Sequence, residues 1–378
     1  MNVMIVVTHL LGTGHLARAL TLARAFQRAG HRVRVVSGGM PAPQLDPGDV
    51  PLVQLPPVRS DGVDFARLLD DAGCPVTDPL LAQRVRILTT QLTQQPPDVL
   101  ITELFPFGRR VLRAEFAALL AAAKALPKPP LTCASIRDIL APPSKPEKAV
   151  KTDAIIAELY DAVLVHADEN VTPLHLSWPV SEALAAKLHY TGFVAPAPAA
   201  PHPDNTGQGE IIVSAGGGSV GDHVFDTALT GAAQDPRKWR ILLGGSDAPQ
   251  RAELRARSAP ANVIIEPARP DFRSLLYHAA ASVSLCGYNT ALDILQSGCR
   301  AVFVPFDEGQ EVEQTIRAKA LAALPGISVI PAALLGVERL LTVLAEVCAA
   351  PPRAPSTEGF SGADETVRIV QDLRRTQV

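Results

Sequence analysis

The chain of 378 residues is poor in aromatic residues and in cysteine. Aromatic side chains account for 4% of the sequence, and the five cysteines are scattered, with no Cys-x-x-Cys pair and no His or Cys neighbours at metal-ligand spacing. Neither a disulfide framework nor a zinc site is indicated, so we expect no bound metal. Scattered free thiols fit the reducing cytoplasm, which is the compartment we predict.

The chain also lacks a strong charge imbalance and a long apolar run. Its formal net charge is −3, which gives no electrostatic reason to expect binding to nucleic acid or to an anionic membrane surface. The opening residues, MNVMIVVTHLLG, contain no basic n-region and no cleavage site, and their apolar run is far shorter than a membrane span. We predict no transmembrane segment, while peripheral membrane contact stays open.

Hydrophobic residues, mainly Ala, Leu and Val, make up 47% of the chain. They fall in short β-branched runs that alternate with longer helical patterns. The pattern over residues 15–30 puts leucine, alanine and Phe26 on one face and Arg and Gln on the other. This alternation is typical of βαβ units, and it restarts after a Pro-rich stretch. We therefore predict an α/β fold with two Rossmann-like, doubly wound parallel sheets.

The domain boundaries follow from length and composition, since two domains of roughly 150 to 200 residues suit a chain of this size. We place the first domain at residues 1–195, a Pro-rich linker at 196–208 and the second domain at 209–360. Residues 361–378 read as one more helix, which could cross back onto the first domain.

The first predicted strand leads into GTGHLARAL, a glycine turn at the start of a helix. Gly12, Gly14 and Ala17 fit the looser form of the dinucleotide fingerprint, but the second strand ends in VVSGG, with no acidic residue for a ribose. We therefore expect no nicotinamide or flavin cofactor. His15 in this turn is either a cap of its helix or a group with chemistry of its own.

The second domain offers a better anion site in SAGGGSVGD, residues 214–222. Gly217, Gly218 and Ser219 stand between a strand and a helix, where backbone N–H groups and a hydroxyl can converge on a phosphate. The turn lacks the lysine of a P-loop, which argues against ATP hydrolysis. The alternative is a tight turn without a ligand.

Two polar segments follow later strands of the second domain. Asn289 or Thr290 can cap the helix of GYNTALDIL, and Asp293 in its first turn can bind a ribose diol or simply complement the helix dipole. The next loop brings acids and amides, among them Glu313 and Gln314, to the same sheet edge. They suit sugar hydroxyls or a solvated helix start.

The first domain places ionisable residues at its strand ends, namely His15, Glu103, Asp138 and His166. Transfer to a hydroxyl needs a group that accepts its proton, and the first three are the candidate bases. Asp138 could instead pair with Arg137.

The segment TELFPFGRR, residues 102–110, adds aromatic and basic groups at one of these strand ends. Phe105 flanks a sugar or an apolar tail, or it packs in the core. Arg109 and Arg110 form a solvated face or bind an anionic acceptor.

Four segments together carry a resemblance to a known family. GTGHLARALTLA, GGGS, GYNTALDIL and VPF followed by EQTIRA are similar to segments of family 28 glycosyltransferases, and TELFPFGRR and IRDIL resemble a poorly characterised bacterial branch. The resemblance implies the GT-B fold, in which two Rossmann-like domains face each other across a cleft. It also implies metal-independent, inverting transfer of a sugar from a nucleotide sugar, taken as a UDP-sugar, to a hydroxyl acceptor.

The resemblance also implies where the substrates bind. Asp293 stands where the family commonly has a ribose-binding Glu, and the shorter side chain weakens the argument for uridine. The donor residues it implies in the second domain are Gly217, Gly218, Ser219, Arg269, Phe272, Asn289, Thr290, Asp293, Glu313 and Gln314. The acceptor-side residues in the first domain are Gly12, Thr13, Gly14, Phe105, Arg109 and His166.

Two other functions stay open at this stage. The glycine turn with His15 is also similar to the corresponding loop of nucleotide-sugar hydrolases of the same fold, which use that histidine to activate water. A non-catalytic protein that only binds a nucleotide sugar is the third possibility.

Overall fold

The computed structural model describes residues 1–10, 12–60, 67–216, 220–245, 247–307 and 311–376. It divides into two compact units, one of Met1–Pro196 with Ser361–Val378 and one of Ala197–Phe360. Each unit contains a parallel sheet with helices, so the prediction of an α/β fold with two parallel sheets is confirmed. Among the helices in those ranges, none is long and apolar enough to cross a membrane.

The described part of unit 1 contains nine strands: β1 (Asn2–Val7), β2 (Arg32–Ser37), β3 (Leu52–Gln54), β4 (Arg59–Ser60), β5 (Leu68–Leu69), β6 (Val99–Glu103), β7 (Leu131–Arg137), β8 (Ala162–His166) and β9 (Leu188–Tyr190). Seven form one parallel sheet in the order β3-β2-β1-β6-β7-β8-β9, and β4 and β5 form a separate antiparallel pair. The central strands are apolar on both faces because helices cover a parallel sheet on each side.

The helices of unit 1 that precede residue 197 are α1 (Gly14–Arg28), α2 (Asp78–Gln94), α3 (Arg113–Lys124), α4 (Pro146–Leu159) and α5 (Glu182–Ala185). Helix α1 packs on the sheet through Leu16, Leu20 and Phe26, which are all at most 2% exposed. These residues recur at helical spacing and therefore bury one stripe of α1 against the strands.

The described part of unit 2 has six strands: β10 (Ile211–Ser214), β11 (Trp239–Leu243), β12 (Val263–Pro267), β13 (Ala281–Ser284), β14 (Ala301–Phe303) and β15 (Ile327–Val329). They form one parallel sheet in the order β12-β11-β10-β13-β14-β15. Its helices are α6 (Asp222–Ala232), α7 (Ala248–Ala256), α8 (Phe272–Leu275), α9 (Tyr288–Ser297), α10 (Glu313–Leu321) and α11 (Val337–Ala349).

The last helix, α12 (Gly362–Thr376), belongs to unit 1 although it follows unit 2 in the chain. Val194 and Ser361 form an isolated β-bridge, and Arg28 of α1 pairs with Asp364 at 2.7 Å. From Ala197 the Pro-rich segment belongs to unit 2. His202 Nε2 lies 3.2 Å from Asp271 Oδ2, and the Gly209 amide donates to the His278 carbonyl at 2.8 Å. The second half of that segment is therefore a packed part of unit 2.

Both sheets reverse their strand order at one point, between β1 and β6 in unit 1 and between β10 and β13 in unit 2. At such a point the loops that leave the two central strands diverge to opposite faces and leave a crevice beyond the carboxyl ends. The glycine turn with His15 and the residue Glu103 lie at the reversal in unit 1. Ala215 and Gly216, which follow β10, and the GYNT segment, which follows β13, flank the reversal in unit 2.

A buried arginine joins the helices of unit 1 to the loops beside this crevice. Arg84 of α2 is fully buried and donates from Nε and Nη2 to Glu115 of α3 at 2.7 and 3.0 Å. Its Nη1 donates to the carbonyls of Gly38, at 2.8 Å, and Pro56. A Cβ at Gly38 would collide with Arg84 Nη2 and Thr8 Oγ1, and a Cβ at Gly39 would collide with the His9 carbonyl, which explains why two glycines follow β2.

We predict that Arg84→Ala strongly destabilises unit 1, because it leaves the Glu115 carboxylate buried and unpaired. The expected loss in the free energy of unfolding is about 3 to 5 kcal/mol, measured by urea denaturation. Arg28→Ala is the matched control, since Arg28 is 61% exposed in its ion pair with Asp364 and should lose about 1 kcal/mol or less. Equal losses in the two variants would contradict the prediction.

Candidate active site

The candidate site forms where β1 and β6 end in unit 1. After β1 the chain turns at Gly12, which has a left-handed φ of 64°, and enters α1 at Gly14. A Cβ at either glycine would meet no atom within 4 Å, so the turn is open. Thr13 occupies the N-cap position without a side-chain hydrogen bond, and His15 follows in the first helical turn.

His15 and Glu103 are brought together from positions 88 residues apart. Glu103 is the last residue of β6 and is 1% exposed, and its Oε1 lies 2.9 Å from His15 Nδ1. Arg18, one helical turn after His15, forms an ion pair with the same Oε1. Arg18 Nη2, which can only donate, also lies 3.1 Å from His15 Nδ1. Because this guanidinium already donates to Glu103 Oε1 and a carboxylate can only accept, we assign a hydrogen to His15 Nδ1, which then donates to Glu103 and leaves Nε2 with its lone pair.

A second set of polar side chains lies on the other oxygen of Glu103. Ser135 Oγ donates to Glu103 Oε2 and lies 2.9 Å from His166 Nε2. His166 Nδ1 in turn lies 2.9 Å from Thr191 Oγ1. The sheet register explains this row, because Glu103 is paired with Ser135 across β6 and β7, and Arg137, on the same face as Ser135, is paired with His166.

Burial and charge set the protonation of these groups. Burial lowers the pKa of His15 to about 3, although its hydrogen bond to Glu103 opposes this change, and the Arg109 and Arg18 charges lower the pKa further. Burial likewise lowers the pKa of His166 to about 3. Burial alone would raise the pKa of Glu103, but Arg18 and His15 hold it below its ordinary value. At neutral pH the site contains two neutral imidazoles and a carboxylate.

Arg109 enters the same site from the loop after β6. Its backbone is left-handed, with φ of 58°, and its Nε donates to the Thr8 carbonyl at the end of β1 at 2.5 Å. Neither Nη atom has a hydrogen bond to a residue that the structure describes. Burial lowers the pKa of Arg109 to about 10, which still leaves the guanidinium charged at neutral pH. The neighbouring Arg110 is exposed.

Three other predicted residues of unit 1 are buried. Phe105 is 2% exposed and stacks on Phe116, with 4.6 Å between the ring centroids, so it packs in the core. His166 is fully buried behind Glu103, and its assignment to the acceptor side is therefore wrong. Asp138 follows β7 and is 1% exposed.

The diphosphate turn predicted in unit 2, Gly217, Gly218 and Ser219, lies outside the described residues. Helix α6 begins at Asp222, with Gly221 as its N-cap in a left-handed conformation. A Cβ at Gly221 would collide with the Ala215 side chain. Glycine is therefore required there both by the left-handed backbone and by the lack of space.

Asp293 is held in an ion pair. Its Oδ1 accepts from Arg273 Nε at 2.9 Å, and Arg273 Nη2 donates to Gln296 at 2.7 Å. Burial raises the pKa of Asp293 to about 6, although Arg273 opposes this rise. The expected capping is wrong: α9 begins at Tyr288 with Gly287 as N-cap, so Asn289 and Thr290 lie inside the first turn and Asp293 in the second.

The remaining donor candidates of unit 2 bond to their own neighbours. Arg269 donates to Asp271 at 2.8 and 2.6 Å, and Phe272 is half-buried against the core. Glu313 opens α10, and the side-chain oxygen of Gln314 accepts from the Phe306 amide at 3.2 Å. These residues lie near the carboxyl edge of the sheet, as predicted, but in separate local contacts.

Sequence reasoning missed the residues that support Glu103. The helical pattern of α1 puts its arginines on the polar face, yet Arg18 is only 6% exposed. Ser135 and Thr191 carry no local signal, because a serine inside a strand and a threonine after one are common. The only available signal was positional, since Ser135 is adjacent to Glu103 once β6 and β7 are paired.

Comparisons with known proteins bear on the family and the fold. Residues 13–200 match the family model described as Glycosyl transferase 4-like domain. Over 183 residues the chain is 27% identical to the UDP-N-acetylglucosamine--N-acetylmuramyl-(pentapeptide) pyrophosphoryl-undecaprenol N-acetylglucosamine transferase of Mesorhizobium japonicum. That alignment covers 46% of this chain and 48% of the relative, so the chain spans about half the length of the curated relative it matches.

Solved structures match over nearly the whole chain. MurG of Acinetobacter baumannii is 17% identical with a TM-score of 0.63, and the match covers 98% of this chain and 100% of that one. The glycosyltransferase VinC in complex with dTDP is 16% identical with a TM-score of 0.59 and coverage of 100% and 98%. At these identities the likeness shows the fold, which is GT-B. The resemblance to GT-B glycosyltransferases inferred from the sequence is thereby confirmed.

We predict that stability falls as the pH is lowered from about 6.5 towards 3, partly because of His166. The unfolded imidazole takes up a proton in this window while the folded one, with a pKa of about 3, does not. Each such histidine contributes a slope of about 1.4 kcal/mol per pH unit. Urea denaturation across this range should show a shallower slope for His166→Gln.

His175→Gln, at an exposed histidine of the same unit, is the control and should keep the wild-type slope. An unchanged slope in His166→Gln would mean that the buried imidazole is already protonated in the folded protein.

Proposed function

This chain carries a glycosyltransferase family domain on a GT-B fold, and from that premise we propose that it transfers a sugar from a nucleoside diphosphate sugar to a hydroxyl acceptor. The observation that carries the proposal is the contact of His15 with the buried, ionised Glu103 at the strand reversal of unit 1. This pair leaves a neutral imidazole nitrogen available at the crevice, as a hydroxyl nucleophile requires.

In the proposed reaction His15 Nε2 accepts the proton of the acceptor hydroxyl while its oxygen bonds to the anomeric carbon. The bond from that carbon to the diphosphate breaks on the opposite side, which inverts the configuration. Glu103 holds the ring through Nδ1–H and stabilises the imidazolium as it forms. We propose that no metal takes part, as the resemblance to family 28 implies.

The donor is proposed to bind unit 2 at its own strand reversal. Gly217, Gly218 and Ser219 would contact the diphosphate at the start of α6, and Asp293 is the residue offered to the ribose. The ion pair of Asp293 with Arg273 competes with that contact. Two solved GT-B structures of similar fold contain thymidine diphosphate, so UDP and dTDP sugars are both to be tested, with UDP as the donor we propose.

Arg109 is proposed to bind an anionic group of the acceptor. Its Nε is fixed to the Thr8 carbonyl, and its charged terminal nitrogens have no described protein partner. The same charge lowers the pKa of His15. A phosphate or carboxylate at Arg109 would offset that charge, so binding of the acceptor would make His15 more basic when a base is needed.

We predict that His15→Gln lowers turnover of the donor by about 10²- to 10⁴-fold, because it removes the general base. Purified protein is incubated with UDP-sugars or dTDP-sugars in the presence of EDTA, once with an acceptor and once without. NMR follows the released nucleoside diphosphate and the anomeric configuration of the product. The thermal shift given by the donor should be the same in wild type and variant, and His175→Gln should retain full turnover.

The outcomes of this experiment separate the candidate functions. Release of free sugar without an acceptor identifies a hydrolase, whereas consumption that depends on an acceptor supports transfer. A protein that only binds the donor would show no turnover. Its donor binding would be unchanged in His15→Ala and Glu103→Ala. Stabilisation by NAD(P) and not by nucleoside diphosphates would contradict the proposal.

We predict that Arg109→Gln raises KM for anionic acceptors by about 10- to 100-fold, as expected for the loss of one charged hydrogen-bond partner. It should leave the KM of neutral hydroxyl acceptors unchanged, and it should raise the pKa of His15 by removing a nearby positive charge. Steady-state kinetics with a panel of phosphorylated, carboxylated and neutral acceptors test this. Arg110→Gln, at the exposed neighbour, is the control; equal effects in both variants would contradict the assignment.

A further inference from the structure

The side chains behind Glu103 form a continuous buried row that the proposed mechanism does not use. Ser135 and His166 are fully buried, and Thr191 is 3% exposed. Together with Glu103 they make three successive contacts through side chains of β6, β7 and β8 and the loop after β9. Polar atoms in such a position are costly unless each finds a partner.

The direction of the first hydrogen bond is fixed by charge. Glu103 is ionised beside Arg18 and can only accept, so the single hydrogen of the Ser135 hydroxyl points to Oε2. A hydroxyl that donates to an anion becomes a stronger acceptor at its oxygen. The neighbour of that oxygen is His166 Nε2 at 2.9 Å.

The direction of the second hydrogen bond follows from the first. If His166 carried its hydrogen on Nδ1, the bare Nε2 would face the lone pairs of Ser135 Oγ at hydrogen-bond distance. With the hydrogen on Nε2, His166 donates to Ser135, and both contacts on the way to Glu103 are satisfied. The buried imidazole therefore has a defined tautomer, with Nε2–H and a bare Nδ1.

The row ends at Thr191. Its hydroxyl faces His166 Nδ1 at 2.9 Å, the Gly192 carbonyl at 2.8 Å and the Val165 carbonyl at 3.3 Å. The Val165 carbonyl already accepts from the amides of Ala167 and Thr191. Because the bare Nδ1 of His166 needs a donor, the Thr191 hydroxyl hydrogen points to His166 Nδ1.

We propose that Ser135 and His166, supported by Thr191, are positioning residues that hold the Glu103 carboxylate and thereby fix the Nδ1–H tautomer of His15. The proposal rests on the proposed function for its catalytic meaning, because the free Nε2 of His15 is the atom that accepts the proton. Glu103 receives donors on both oxygens, from His15 and Arg18 on one and from Ser135 on the other. It therefore cannot rotate away from His15 without losing a charged hydrogen bond.

The direct test is the tautomeric state of the two histidines. The full chain is labelled with ¹⁵N-histidine, and long-range ¹H–¹⁵N spectra at pH 7 report which ring nitrogen carries hydrogen, with His15→Gln and His166→Gln to assign the signals. We expect His166 as Nε2–H and His15 as Nδ1–H. In Ser135→Ala the His15 signals should move to values typical of mixed tautomers. Ser282→Ala, at a fully buried serine of β13, should leave them unchanged.

The kinetic test separates positioning from a merely structural role. With the nucleotide sugar that the wild type turns over, Ser135→Ala should lower kcat by about 10- to 100-fold with an unchanged KM for the donor. Its acidic limb in the pH profile should shift to higher pH, because a less satisfied carboxylate raises the pKa of His15. His166→Gln, which keeps an N–H donor, should retain more activity than His166→Leu, while circular dichroism checks that each variant folds.

The tautomer measurement and the turnover measurement test different proposals. His166 found as Nδ1–H, or His15 signals unmoved by Ser135→Ala, would overturn the positioning role whatever the activity. Absence of turnover of any nucleotide sugar, with the expected tautomers present, would instead overturn the proposed function and leave the hydrogen-bond assignment standing.

Discussion

The buried Glu103 carboxylate is the constraint on which the site in unit 1 depends. An ionised carboxyl that is 1% exposed costs several kcal/mol in lost hydration unless charge and hydrogen bonds replace the water. Arg18 supplies the charge, and His15 and Ser135 supply hydrogen bonds. Because Arg18 and His15 lie one turn apart on α1, the same compensation fixes how the start of that helix sits over β6.

The two units have the same sheet reversal but different side-chain contacts beside it. In unit 1 the side chains at the strand ends form one hydrogen-bonded network centred on the Glu103 carboxylate. In unit 2 the corresponding edge contains separate pairs, such as Arg273 with Asp293 and Arg269 with Asp271. A connected network fixes one geometry, as proton transfer requires, whereas separate pairs can open singly as a ligand binds.

The site also contains unfavourable backbone conformations and like charges, whose free-energy cost the surrounding structure must offset. Leu104 and Arg109 both have left-handed backbones, with φ of 70° and 58°, which disfavour residues with side chains. Arg109 is a half-buried cation close to Arg18, and its positive charge lowers the pKa of His15. Such an arrangement is unfavourable in the free protein, and binding of an anionic group at Arg109 would relieve it.

Local patterns in the sequence determined most of the strands and helices, the two parallel sheets, and the position of His15 and Glu103 at strand ends. Each depends on residues close together in the chain, so β-branched runs, helical periodicity and glycine turns suffice. Tertiary structure decided the burial of Arg18 and His166 and the first residue of α9. It also decided the edge strands β3, β9 and β15, which have only three residues each. Strand register and helix orientation decide these, since they pair residues such as His15 and Glu103 across 88 positions.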